Sequence, residues 1–163
     1  MVQKINKPKQ RKTNKISRPI LHEVEIIYNS PRFQEPIQIK SSIDGYNLLM
    51  QSFDTRKIDY KEMFYVVLLN RANYCLGYSH ISTGSTSGTV VNIKEVFQLA
   101  LKTNASSIIL AHNHPSGNMT PSNADINLTQ KIKNGCELFD IQLLDHLIIS
   151  SLNYYSFADN GKI

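Results

Sequence analysis

The clearest candidates for chemistry in this chain are two histidines and an aspartate within one short stretch. His112 and His114 are separated by a single residue, and Asp125 follows in the same stretch. Two imidazoles and a carboxylate are a ligand set of catalytic zinc sites, in which three protein ligands leave the fourth position to a water molecule. The stretch therefore predicts a Zn²⁺ site with His112, His114 and Asp125 as ligands, and the rest of the chain must supply a base.

A predicted strand explains the spacing of the two histidines. The run Ser-Ser-Ile-Ile-Leu-Ala leads directly into His112 and predicts a buried strand over about residues 106–112. Strand side chains alternate between the two faces of a sheet. If the extended backbone continues, His112 and His114 therefore point to the same face and can bind one ion, while Asn113 points away.

A predicted helix brings the carboxylate to the same place. The helix spans about residues 123–139, with Ser122 as its N-cap and Asp125 in its first turn, where the helix dipole favours a negative charge. Each residue also has a commoner role, because histidine pairs occur in polar loops, serines cap helices and acids prefer first turns. The joint pattern favours the metal site: His-x-His, seven residues, Ser, two residues and Asp, all after an apolar strand.

The wider motif resembles a known family. Ala111–Gly117 and Pro121–Asp125 are similar to the RadC branch of the JAB/JAMM (MPN-type) metalloprotease family, and the similarity continues in Val96–Leu101 and Leu144–Ile149. It covers roughly residues 55 to 158. The resemblance implies a zinc-dependent hydrolase with a fold like that of cytidine deaminases. Deaminase chemistry itself is not expected, since the chain lacks His-x-Glu and Pro-Cys-x-x-Cys.

The resemblance also implies two catalytic residues besides the ligands. In this family a glutamate on an earlier strand deprotonates the water that the metal activates, and the matching residue here is Glu62. Ser122 would donate a hydrogen bond to the oxyanion of the tetrahedral intermediate. Glu62 is also notable by itself, because it precedes seven apolar residues typical of a strand buried on both faces. Alternatively, Glu62 is an exposed charged residue at the end of a strand, next to Lys61.

Two further features of the family bear on the interpretation. Asp145 and His146 also match its pattern, and we expect them to be buried polar support beside the sheet rather than a second shell of the metal. RadC-type proteins usually carry an N-terminal helix-hairpin-helix region, whereas here a basic segment of about 20 residues and a short lead-in stand before the domain. This difference weakens any inference of duplex DNA binding, and the family's traditional link to DNA repair is one of name.

Composition favours a single globular domain. The chain has 163 residues, of which 41% are hydrophobic and 19% charged. No apolar run reaches the roughly 18 to 20 residues of a membrane helix, and the N-terminus lacks the apolar region of a signal peptide. We therefore expect a cytoplasmic protein with no membrane contact. Cys75 and Cys136 have no Cys-x-x-Cys spacing and are expected to be reduced structural thiols.

The positive charge is concentrated at the N-terminus. Residues 1–20 contain seven Lys and Arg and no acid, and the remaining chain carries the other 11 of the 18 basic residues against all 13 acidic ones. With polar residues between its charges, the segment 1–20 is predicted to be a disordered basic tail. It could contact DNA electrostatically or simply keep the protein soluble, and both alternatives stay open.

The order of elements predicts an α/β fold with a mixed central β-sheet flanked by helices, in agreement with the JAB/JAMM fold. We divide the chain into the tail 1–20, an N-terminal lead-in 21–54 with one strand and one helix, and a metal-binding domain 55–163. Besides the strand 106–112 and the helix 123–139, the sequence predicts two helices: one that Ser42 caps and that ends at about Ser52, and one that Asn92 caps and that ends at about Asn104. Pro36–Lys40 is a weaker extended segment. The other predicted strands are Val24–Tyr28, 62–70, 74–83, Ile141–Ser150 and Tyr154–Phe157.

Three functions are compatible with these residues. The leading hypothesis is a zinc-dependent hydrolase of amide or isopeptide bonds that acts on an unknown protein or peptide substrate. The first alternative is a DNA-associated accessory protein with a non-catalytic metal site, in which the tail 1–20 makes the DNA contact. The second is a metal-dependent nuclease, because the same metal chemistry can act on phosphorus.

Overall fold

The computed structural model of the protein describes residues 24–29, 35–54, 56–84 and 90–163. The predicted basic tail of residues 1–20 lies outside the described residues. None of the helices in the described ranges has the length and apolar character needed to cross a bilayer.

The described chain forms an α/β fold around one sheet, as the order of elements predicts. Its helices and strands are α1 (Ser42–Met50), β1 (Met63–Leu69), β2 (Cys75–Thr83), α2 (Ile93–Lys102), β3 (Ser107–Asn113), α3 (Asn123–Leu138), β4 (Gln142–Ile149) and β5 (Tyr154–Ser156). The sheet has the strand order β2-β1-β3-β4-β5. The β3–β4 pair is parallel and the other three pairs are antiparallel, so the sheet is mixed.

The central strands β1 and β3 are buried on both faces along their whole length. On one face, Val67 and Ile109 pack with Leu49 of α1. On the other face, Val66 and Leu110 pack with residues of α2 and α3. Strands that helices cover on both faces have sequences that are continuously apolar. We call these two sides of the sheet the α1 face and the α2/α3 face.

The predicted strand at Val24–Tyr28 is wrong. The segment makes no strand pairing, and Val24, Ile26 and Ile27 are largely exposed. The reason is competition for backbone partners: residues 37–39 occupy the edge beside the start of β2, where Ile39 N donates to Asn73 O and Cys75 N donates to Ile37 O. The weaker extended segment Pro36–Lys40 makes the bridge at this edge, between Gln38 and Tyr74.

The first helix differs from its prediction by one residue at its start. Ser41, not Ser42, is at the N-cap position, and the helix ends at Met50 rather than near Ser52. The Asp44 carboxylate accepts hydrogen bonds from Lys40 N and Ser41 Oγ, and this fastens the first turn one residue earlier. The Asn92 and Ser122 caps form as predicted, and each accepts a hydrogen bond from the backbone three residues on.

Helices α2 and α3 lie in close contact, and a glycine makes this possible. A Cβ atom built on Gly135 would lie 2.5 Å from the Phe97 ring. Any larger residue would therefore clash with the Phe97 ring and force either the ring or α3 to shift. This approach matters for the site because α3 carries Asp125 at its N-terminal end.

Candidate metal centre

Strand β3 ends with two buried polar side chains that point in opposite directions. His112 pairs in register with Phe64 of β1, and only 1% of its surface is exposed. The apolar neighbours Ile108 and Leu110 belong to the α2/α3 face. By strand alternation His112 lies on that same face, which is the face on which α3 begins.

The structure brings the three predicted ligands together. The Nε2 atoms of His112 and His114 are 2.9 Å apart, His112 Nε2 lies 3.2 Å from Asp125 Oδ1, and His114 Nε2 lies 3.6 Å from Asp125 Oδ2. One donor atom of each residue lies within 4.8 Å of the others. This cluster of two imidazoles and one carboxylate could hold a metal ion.

A tight turn holds His114 in place. Its Nδ1 atom lies 2.6 Å from the carbonyl oxygen of Asn118, which can only accept, so Nδ1 carries the proton and Nε2 points to the cluster. Gly117 N donates to His114 O, and Gly117 has φ 72°, a conformation that glycine adopts readily. The Asp125 carboxylate, 3.6 Å from Nε2, raises the pKa of His114 because a nearby negative charge favours the protonated ring.

Asp125 takes part in a reciprocal cap with Ser122. Asp125 Oδ2 accepts hydrogen bonds from Ser122 N at 2.7 Å and Ser122 Oγ at 2.6 Å, and Asp125 N donates back to Ser122 Oγ. Burial would raise the pKa of Asp125, but the nearby rings of His112 and His114 outweigh it and hold the pKa well below its usual range. The carboxylate is therefore ionised and fixed in orientation at the start of α3.

The Nδ1 atom of His112 begins a series of contacts with residues that are distant in sequence. His112 Nδ1 lies 2.9 Å from His146 Nε2, and His146 Nδ1 lies 2.6 Å from Thr129 Oγ1. His146 is fully buried, and burial lowers its pKa well below the ordinary value for histidine. His146 is buried, as expected, but it contacts a candidate ligand directly, so the expectation that it would not belong to a second shell of the metal site is wrong.

Asp145, the other residue of this pair, serves the opposite side of the strand. Its carboxylate accepts hydrogen bonds from Ser156 Oγ and Ala158 N, which tie β4 to the end of β5 and to the turn that follows it. Burial raises the pKa of Asp145. Its contacts are those of a structural residue.

Glu62 lies on the wall of the same cavity as the three candidate ligands. The cavity has a volume of about 480 Å³, and Glu62 and Ser122 line it together with His112, His114 and Asp125. Glu62 itself is partly exposed and stands outside the compact donor cluster. Glu62 is therefore a candidate base at the cavity wall and not a member of the ligand cluster.

Asn113 holds the segment that carries Glu62, and sequence reasoning missed it. Its Oδ1 accepts from Met63 N at 2.8 Å, while its Nδ2 donates to Lys61 O at 2.8 Å and to Ile58 O. Asn113 is completely buried. A signal was available in the sequence: an amide in a strand that points away from the histidines must find hydrogen-bond partners on the other face once it is buried.

Comparisons with known proteins show which family the chain belongs to. A family model described as a RadC-like JAB domain matches residues 39–162. A UPF0758 protein of Flavobacterium johnsoniae is 40% identical over 124 residues, which are 76% of this chain and 53% of the relative. A UPF0758 protein of Alkaliphilus metalliredigens is 41% identical over 126 residues, 77% of this chain and 53% of the relative.

A third relative matches over a shorter stretch. The UPF0758 protein YfjY of Escherichia coli is 44% identical over 103 residues, which are 63% of this chain and 64% of the relative. The chain spans about half the length of the first two relatives, 53% in each case. These names describe the relatives and state no reaction.

Proposed function

Because the chain belongs to the RadC-like JAB domain family, we propose that it is a zinc-dependent hydrolase of amide or isopeptide bonds. One observation carries the proposal: the donor atoms of His112, His114 and Asp125 converge on a cavity whose wall also holds Glu62 and Ser122. The proposal thus joins a metal-ligand set, a base and a hydrogen-bond donor in one place.

The donor set fits zinc in both chemistry and spacing. Two imidazoles and one carboxylate are typical of catalytic zinc sites, and zinc–nitrogen bonds of about 2.0–2.1 Å in a tetrahedral site separate the donors by roughly 3.3 Å. The two imidazole nitrogens are 2.9 Å apart, and each lies 3.2 or 3.6 Å from one of the two Asp125 oxygens, Oδ1 for His112 and Oδ2 for His114, so the donors have the spacing of a zinc site. When bound, the ion would supply the Lewis acidity that polarises a carbonyl group and activates water.

The protein's own groups would handle the proton and the developing charge. Glu62, held at the cavity wall through the backbone of its segment, accepts the proton from water and passes it to the leaving amine. Ser122 would donate to the oxyanion, but its hydroxyl proton points to Asp125 Oδ2 in this structure. The hydroxyl must therefore rotate away from Asp125 to serve the substrate, while Ser122 N keeps hold of the carboxylate.

The lining of the cavity favours an amide over a phosphodiester substrate. Among the described residues that line it, the charged side chains are the carboxylates of Glu62 and Asp125, with neither Lys nor Arg. A polyanionic nucleic acid is bound mainly through Lys and Arg contacts to its phosphates. An amide substrate has a neutral carbonyl group and needs no Lys or Arg contacts of this kind. DNA contact through residues 1–20 and a cytoplasmic location stay predictions.

Metal analysis of matched variants tests the proposed function. We expect the purified, zinc-supplied protein to retain about one ion per chain at the one site proposed here. Glu62→Gln should keep the ion and lose cleavage of peptide and lysine-branched isopeptide panels read by mass spectrometry. Glu137→Gln, at an exposed position near the end of α3, is the control and should behave as the unchanged protein. Full cleavage by Glu62→Gln would refute the role of the base.

A further inference from the structure

A metal-binding histidine must present a ring nitrogen that carries no proton, and for His112 this is Nε2. We propose that Thr129 and His146 are positioning residues that set this tautomer of His112 through a directed hydrogen-bond chain anchored on the backbone carbonyl of Asp125. The inference rests on the proposed role of His112 as a ligand. Thr129 and His146 do not contact the donor atoms of His114 or Asp125, and they do not line the cavity.

The chain starts at Thr129, whose hydroxyl has one proton to give. Thr129 Oγ1 lies 2.7 Å from the carbonyl oxygen of Asp125, one helical turn earlier. Two oxygens at this distance require a proton between them, and a carbonyl oxygen can only accept. The hydroxyl proton is therefore committed to Asp125 O.

This commitment determines the proton position on His146. Thr129 Oγ1 and His146 Nδ1 are 2.6 Å apart, and the hydroxyl has no second proton to donate. Nδ1 of His146 must therefore carry the proton and donate it to Thr129. A neutral imidazole has one N–H group, so Nε2 of His146 is left as an acceptor.

The next step reaches the metal cluster. His146 Nε2 lies 2.9 Å from His112 Nδ1, so His112 must be the donor of this hydrogen bond. The single proton of neutral His112 is then on Nδ1, and Nε2 faces His114 and Asp125 with a free electron pair. Ligating histidines commonly gain orientation and basicity from such an outer partner.

Aromatic packing prevents the chain from reversing by a flip of the His146 ring. The ring of Phe157 stacks on His146 at a centroid distance of 4.8 Å, and the ring of Phe64 meets it edge-on at 5.7 Å. Both phenylalanines and His146 are at most 1% exposed. The ring therefore cannot turn without opening the core between β4 and α3.

The two candidate ligands thus obtain the same tautomer by different routes. His114 donates directly to the Asn118 carbonyl in its own loop. His112 reaches a carbonyl only through His146 and Thr129, and that carbonyl belongs to the third ligand, Asp125. The chain of hydrogen bonds therefore couples the tautomer of His112 to the position of the helix that supplies the carboxylate.

Thr129→Val and Thr129→Ser form the matched test pair, because valine keeps the shape without the hydroxyl and serine keeps the hydroxyl. Long-range ¹H–¹⁵N NMR of the metal-free protein should show the Nδ1–H tautomer of His112 in the unchanged protein and in Thr129→Ser. Thr129→Val should mix the tautomers and weaken Zn²⁺ binding, measured by chelator competition, by roughly 10- to 100-fold.

His146 supplies an independent variant pair. The amide oxygen of His146→Gln can take the place of Nε2 and accept from His112, so this variant should keep more of the Zn²⁺ affinity than His146→Leu. If His146→Leu does not fold, the Thr129 pair decides the question.

Two results overturn the inference. One is an Nε2–H tautomer of His112 in the unchanged metal-free protein. The other is a Thr129→Val variant that loses thermal stability but keeps both the tautomer and the Zn²⁺ affinity, as a purely structural residue would. Failure of the unchanged protein to bind Zn²⁺ would instead refute the proposed function, and the NMR spectrum would still report on the hydrogen-bond chain.

Discussion

Two neighbours at the end of β3, His112 and Asn113, lie on opposite faces of the sheet and differ in the kind of partner they contact. Both are buried to within 1% of full burial. On the α2/α3 face, the partners of His112 are the side chains of His114, Asp125 and His146. On the α1 face, Asn113 binds only backbone groups, those of Ile58, Lys61 and Met63.

The difference shows that one strand end supports the site on both faces of the sheet: His112 belongs to the candidate metal cluster, and Asn113 holds the segment that carries Glu62. A contact between side chains depends on which residues are present at distant positions, so the surroundings of His112 are sensitive to each partner. A contact to backbone depends only on the path of the chain, so Asn113 can hold the Glu62 segment whatever its side chains are. We expect the α2/α3 face to control metal binding and the α1 face to control the base.

The largest expected effect comes from removing a ligand. His112→Ala or His114→Ala should abolish stoichiometric zinc, because each removes one of three donors. Elemental analysis after gel filtration in zinc-containing buffer measures the outcome. His80→Ala, on the exposed edge strand β2, is the control and should retain the ion. Zinc retained by His112→Ala would mean that the cluster is not the binding site.

Asn113→Ala tests the other face. It leaves one backbone N–H and two carbonyl groups without a partner, and we expect a loss of about 3 kcal/mol in the free energy of unfolding. Urea denaturation measures this loss. Cleavage should fall because the Glu62 segment is released, while the Zn²⁺ affinity of the folded protein stays close to that of the unchanged chain. An equal loss of Zn²⁺ affinity would remove the distinction between the two faces.

Ser122→Ala should have a smaller effect on stability. Loss of the N-cap typically costs about 1 kcal/mol, and Asp125 also loses one of its two Ser122 contacts. Thermal unfolding and Zn²⁺ competition measure these effects. Ser122→Thr keeps the hydroxyl and should restore both values. If Ser122→Ala loses cleavage but keeps stability and Zn²⁺ affinity, the oxyanion role outweighs the capping role.

The smallest expected effect is a difference in thiol reactivity between the two faces. Cys136 is buried in the core of the α2/α3 face, and burial raises its pKa to about 11. Cys75 packs against the core of the α1 face and is only partly buried. Because the thiolate is the reactive form, alkylation at pH 8 should modify Cys75 first, as peptide mass spectrometry can show. Faster modification of Cys136 would indicate that α3 opens readily.

Local patterns predicted the elements well where short-range physics decides them. The apolar run after Glu62 predicted a doubly buried strand, and the Ser122–Asp125 spacing predicted a helix with Ser122 as its N-cap and Asp125 in its first turn. The pattern at Val24–Tyr28 failed because a strand requires a free neighbouring edge, and residues 37–39 occupy the start of β2. Apolar alternation carries no information about which segment reaches an edge.

The sequence by itself determined the three candidate ligands, because strand alternation and a helix cap are local and carry His112, His114 and Asp125 towards one point. Only the tertiary structure decided which groups support them. Thr129, His146 and Asn113 act across sheet and helix contacts between residues 17 to 55 positions apart. Such contacts depend on strand order and register, which no short stretch of residues encodes.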